Sequence, residues 1–237
     1  MSDQNTRRLG LPLVQAAQAQ KHVTVNESLA RLDGMVNLTL LSLGQISPPL
    51  AVIDGCSYGV PVGAEGDWRG EDGRIAIASN GGWVFADPQA GMRAFVADLG
   101  TQVIHDGVDW VKGALTLGRF GSGLVAQVAE AEVTISAGAS VNTGLFIPYA
   151  AMVIGVTARV TEAIEGSLAS WRLGTEGALD RFGSALGIQH GSWARGMLSQ
   201  PVTYWAPAPL ILSATGGEFA SGKVRLVVHW LELTLPS

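Results

Sequence analysis

The chain has 237 residues and a formal net charge of −5, with 15% of its residues charged and 47% hydrophobic. Ordinary globular chains carry about 25% charged residues, so a surface this poor in charge points to burial against copies of itself. The acidic balance gives no electrostatic footprint for nucleic acid. No apolar run reaches the roughly 18 residues of a membrane helix, and the lone Cys56 excludes an intrachain disulfide or a multi-cysteine zinc site.

Met1–Arg8 is polar and lacks a signal-peptide core, so synthesis without a signal peptide is expected. From Leu9 to His22, small apolar residues alternate with amides, a composition suited to an extended arm lying on another surface. Thr24 and Glu27 have the spacing of a capping box and predict a helix start. Val25, Leu29, Leu32, Val36, Thr39 and Leu43 then follow a 4-3-4-3-4 spacing. That spacing fits a helix lying on its own domain, or a seam between helices of different copies, with Val25, Leu29, Leu32 and Val36 as the oligomer contact. Gly34 and the β-branched residues near Thr39 weaken such a helix by roughly 1 kcal/mol, so it calls for outside support.

Ile46–Leu50, with two prolines, ends helical structure. Residues 46–117 read as a Trp-containing β-meander. Arg74–Ala78, Asn80–Gly82 and Trp83–Ala86 form strand, tight turn and strand, and Arg93–Ala97 with Gln102–His105 repeats the arrangement. Trp68, Trp83 and Trp110 each follow a turn and suit core packing in small hairpins. Gly113–Ala131 is rich in glycine and small residues and marks a boundary between modules. Residues 124–237 then carry seven or so strand-like segments, predicting an antiparallel β-sandwich or jelly roll. Its last strand alternates Val224, Leu226, Val228 and Trp230 on one face with Lys223, Arg225, Val227 and His229 on the other. The fold class expected is mainly β, with an N-terminal attachment arm and oligomerisation helix in residues 1–45.

Chemistry is sparse. Gly55–Gly59 fits the G-x-S-x-G nucleophile elbow, but Val60–Gly66 cannot supply the helix that must follow. The four histidines have no metal-ligand spacing, and no phosphate-binding glycine loop is present. No catalytic residue, metal or cofactor is therefore expected. Leu168–Trp205 gathers Trp171, Arg172, His190, Trp193, Arg195 and Tyr204 among glycines and serines. Aromatic faces that stack on sugar C–H surfaces, flanked by groups that bind hydroxyls, are the raw material of a glycan site. The same rings also suit the sandwich core. Trp193, within Gly191–Gly196, has the smallest and most turn-like neighbours and is the ring expected to be exposed.

Leu9–Pro12, Ala16–Thr24 and Asn26–Asp33 together form a motif, LGLP, then AAQAQKHVT, then NESLARLD. The motif resembles a family of phage-type proteins of α-proteobacteria, tail-fibre and spike proteins of phages and of gene transfer agents. The resemblance continues to about Trp110 and resumes at Ile147–Thr161 and Gly216–His229. It implies a structural or adhesive part of a phage-like particle, on the virion or particle surface. Residues 1–45 would contact other particle proteins, and the C-terminal unit a host cell-surface polysaccharide. It also implies a closed homo-oligomer, a trimer or, at a capsid vertex, a pentamer. A polysaccharide-cleaving enzyme and a connector or capsid decoration without ligand are the alternatives.

Overall fold

The computed structural model describes residues 4–15 and 21–236. It is mostly β, as expected, with one α-helix near the N-terminus. The chain forms two compact units, Met1–Leu117 and Gly118–Ser237.

In the first unit, helix α1 (Lys21–Met35) packs on β3 (Ile75–Ser79) and β4 (Gly82–Ala86). The helix begins ahead of the expected capping box. Thr24 lies inside it, its carbonyl accepting a bond from Ser28 Oγ, and Glu27 pairs with Arg31 at 2.8 Å instead of reaching back. It also ends earlier than the seam spacing predicts. Asn37 takes a left-handed conformation (φ 48°), and Thr39–Leu40 is already strand β1. Thr39 and Leu43 therefore leave the helical stripe, because the β-branched and left-handed positions favour exit into a strand. Gly34 has a packing reason. A Cβ there would come within 2.7 Å of Cγ2 of the buried Ile77, so its absence lets the helix approach the sheet.

The sheet has seven strands in the order β4-β3-β2-β1-β5-β6-β7, completed by β2 (Ser57–Gly59), β5 (Arg93–Val96), β6 (Thr101–His105) and β7 (Trp110–Lys112). The expected meander is in fact two antiparallel meanders, joined by β1, which is parallel to both β2 and β5. Ser57 lies in β2 with its side chain buried, so the apparent nucleophile elbow is a strand facing inward. Tyr58, Trp68 and Trp83 pack ring on ring at 5.0–5.8 Å. Cys56 is a half-buried free thiol beside them.

The described part of the arm lies on its own helix. Asp33 is buried and accepts bonds from Thr6 Oγ1 (2.7 Å), the Arg8 amide (3.0 Å) and the Leu9 amide (2.6 Å). The Arg8 guanidinium donates to the carbonyls of Asp33, Gly34 and Asn37, capping the otherwise unpaired C-terminal end of the helix. Asn26 and the Val14 backbone exchange two further bonds. Ala16–Gln20 of the arm motif lies outside the described residues.

The second unit packs two four-stranded sheets on one core. One has the order β13-β10-β15-β8 and the other β12-β11-β14-β9. Their strands are β8 (Gly123–Thr134), β9 (Ser140–Ile147), β10 (Met152–Gly166), β11 (Ser170–Thr175), β12 (Ala178–Leu186), β13 (Trp193–Thr203), β14 (Ala208–Thr215) and β15 (Phe219–Thr234). With the strands numbered one to eight, the sheets read 6-3-8-1 and 5-4-7-2, the wrapped order of a jelly roll. Val224, Leu226, Val228 and Trp230 of β15 all turn into the core, as their alternation predicts.

Candidate functional site

In the sheet β13-β10-β15-β8, the alternation that buries Val156, Ala158 and Val160 must turn Thr157 and Arg159 outward. The same rule turns Arg225 and Val227 outward on β15, and Trp193 and Arg195 on β13. Register then brings these positions together. Arg159 stands directly opposite Trp193 on one side and Arg225 on the other, and Thr157 stands opposite Arg195 and Val227. An open groove of about 220 Å³ runs between them, lined by Thr157, Arg159, Trp193, Arg195, Arg225 and Val227.

Trp193 is held by its turn as well as by its strand. Ser192 N–H closes the turn on Gln189 O, Gly191 N–H donates to Val160 O, and Val160 N–H donates to Ser192 O. The indole emerges 62% exposed. The Arg195 guanidinium carbon lies 5.8 Å from the ring centroid, a cation–π contact worth about 0.5–1 kcal/mol at an exposed position. Arg225 donates to Glu132 of β8 at 2.7 Å. On the same face, His229 Nε2 lies 3.1 Å from Thr157 Oγ1, and burial holds its pKa below the usual value of 6.5. His229 is thus neutral near pH 7, and the guanidinium groups set the charge of the groove.

The six ligand residues expected from sequence are dispersed. Trp193 and Arg195 line the groove, and His190 sits on the exposed turn just before them. Trp171 is a correction. It is 1% exposed in the core, with its indole N–H donated to Gly187 O at 2.9 Å, because the alternation of β11 points it inward with Leu173. Arg172 is half-buried on the other sheet, opposite the buried Ser213. Tyr204 packs partly on the core at the end of β13 away from Trp193, where its backbone pairs with Ala150 and Ala151. Neither reaches the groove. Sequence reasoning missed Arg159 and Arg225, and it missed Tyr149, whose exposed ring meets Trp205 edge-on at 6.4 Å. The alternation in Thr157–Val160 and Lys223–Val228 could have placed the two arginines on the outer face, but not opposite Trp193.

In the first unit, a larger cavity of about 560 Å³ lies between the arm, α1 and β3. Its Thr6, Asn26 and Asp33 side chains are engaged in holding the arm. Among the described residues, no three His, Cys, Asp or Glu side chains are grouped as a metal site requires. No helix there is long and apolar enough to cross a membrane.

No curated protein matches the chain. Among solved structures, a chain described as "Cyanophage Pam1 capsid asymmetric unit" is similar at 22% identity and a TM-score of 0.33, over 48% of this chain and 87% of that one. Residues 25–111, from α1 into β7, match the family described as "Protein of unknown function (DUF2793)".

Proposed function

We propose that the chain is a surface component of a phage-like particle, displayed in several copies, whose jelly roll attaches the particle to a host cell-surface polysaccharide. The observation that carries the adhesive part is Trp193, an exposed ring on a hydrogen-bonded turn and strand, beside a groove lined with hydrogen-bond donors. A flat apolar face with polar groups at its edge is what a sugar residue stacks on. The particle setting is supported by the motif in Leu9–Asp33 and by the match of residues 25–111 to a family found largely in phage-related proteins.

A single stacked sugar binds weakly, so attachment rests on many copies acting together. Trp193→Ala should therefore reduce adsorption of particles to host cells by about tenfold or more, with the thermal transition of the protein unchanged. Normal adsorption of the variant would remove Trp193 from the site. Release of oligosaccharides from purified host polysaccharide would favour a cleaving enzyme, and indifference to every glycan would favour a ligand-free connector or decoration.

The copies are proposed to meet through the helix. Val25 and Leu32 are exposed on α1, with Leu29 partly covered between them, and Val36 is exposed in the turn just past its end. An apolar stripe at seam spacing in a charge-poor chain fits a second copy of the same helix. Light scattering on the full chain should give a homo-oligomer, and Leu32→Asp should shift it toward the monomer. A monodisperse wild-type monomer would refute this assembly.

A further inference from the structure

We propose that the Trp193 groove selects anionic polysaccharide, with Arg159 as the residue that binds a carboxylate, sulfate or phosphate on the sugar. This rests on the glycan-binding reading and adds the ligand's charge to it. The first observation is an arrangement that costs stability. Arg159 and Arg225 stand directly opposite each other on neighbouring strands, where like charges are destabilising. Glu132 offsets Arg225, and Arg195 leans on the indole, but no ion pair with a carboxylate engages Arg159 or Arg195 among the described residues. The second is that the accumulation is local. Residues 118–237 contain eight acidic and seven basic side chains, yet three of the seven arginines and lysines converge on this groove.

The third observation is geometric. Arg159 and Trp193 are direct cross-strand partners, which places their Cβ atoms about 5 Å apart. A sugar ring stacked on the indole would therefore hold a charged substituent within reach of the guanidinium. That group's planar fork suits a two-oxygen anion far better than an ammonium does. The groove is open and small, about 220 Å³, and its lining side chains fall far short of the roughly 20–30 residues a side of a stable protein interface, so they suit a small ligand such as a sugar unit. A nucleic-acid backbone calls for a longer basic track, whereas Glu132 and Glu162 flank the cluster on this face.

The test is an array carrying uronate-, sulfate- and phosphate-bearing oligosaccharides, uncharged oligosaccharides of equal length, and a single-stranded oligonucleotide. Full-length wild type, Arg159→Gln, Arg159→Lys and Trp193→Ala are probed at low and high salt. The expected result is binding to charged sugars about tenfold above uncharged ones, weakened by salt. Arg159→Gln should remove the preference and Arg159→Lys restore part of it, with the thermal transition of Arg159→Gln unchanged or raised because the apposition with Arg225 is relieved. Whichever anion binds best identifies its source. Equal binding of charged and uncharged sugars through Trp193 overturns the anion assignment and leaves the glycan reading standing. Preference for the oligonucleotide overturns the assignment in favour of nucleic acid. Binding to no array member overturns both.

Discussion

Replacing Asp33 by alanine is expected to destabilise the N-terminal unit by about 3 kcal/mol or more. Three donors converge on this one carboxylate, from Thr6, Arg8 and Leu9. Hydrogen bonds to a charged acceptor contribute about 1.5–3 kcal/mol each, though not additively within one network. The group is buried, so its loss leaves partly buried amides without an acceptor and also loosens Arg8 from the end of α1. Urea denaturation should show the shift, and limited proteolysis should show cleavage within residues 4–15 under native conditions. Asp33→Asn, which keeps an acceptor and the volume, should lose less. A shift below about 1 kcal/mol for the alanine variant would mean that the arm is held by something other than this carboxylate.

The second large effect is expected at Gly196, in the middle of β13. A Cβ at this position would lie 2.1 Å from the Phe182 carbonyl oxygen and 2.6 Å from its Cα. These are backbone atoms of β12, in the other sheet, so no side-chain rotation can make room. Gly196→Ala must push the two strands apart where Phe182 fills the core, at a cost of about 3 kcal/mol, the upper range for overpacking. Met197→Ala, one residue further along and exposed, is the control and should be nearly neutral. Denaturant unfolding followed by tryptophan fluorescence checks both. Equal stability of the two variants would show that the strands separate there without cost. Because Gly196 follows Arg195, the displacement should also disturb the groove.

The parts legible in the sequence are those written over short distances. Asn80–Gly82 predicted the β3–β4 hairpin, and the alternation of Val224 to Trp230 predicted the buried face of β15. The capping box was also local, but a helix already running from Lys21 leaves no free amides at Thr24 for it to satisfy. The role of Asp33 was hidden because its partners lie more than twenty residues upstream. The exposure of Trp193 was legible from the small residues around it. Arg159 was not, because its significance comes from register with residues 193 and 225, which no periodicity within β10 can specify. Trp171 was misassigned for the converse reason: a glycine-rich neighbourhood resembled a loop, where a strand faced the core.

The wrapped order of the second unit has a consequence for the ribosome. Strand β8 is the first of the jelly roll to be synthesised, and its one neighbour in the sheet is β15, the last. At about 5–20 residues per second, the nascent chain carries an unpaired strand for several seconds before its complement emerges. Sticky strands in that condition recruit other nascent chains. Glu130 and Glu132, exposed on β8, place two negative charges on that waiting segment, spaced to repel a second copy of itself in register. One of them is later taken up by Arg225, so a charge that guards the strand during synthesis becomes part of the finished face once the final strand arrives.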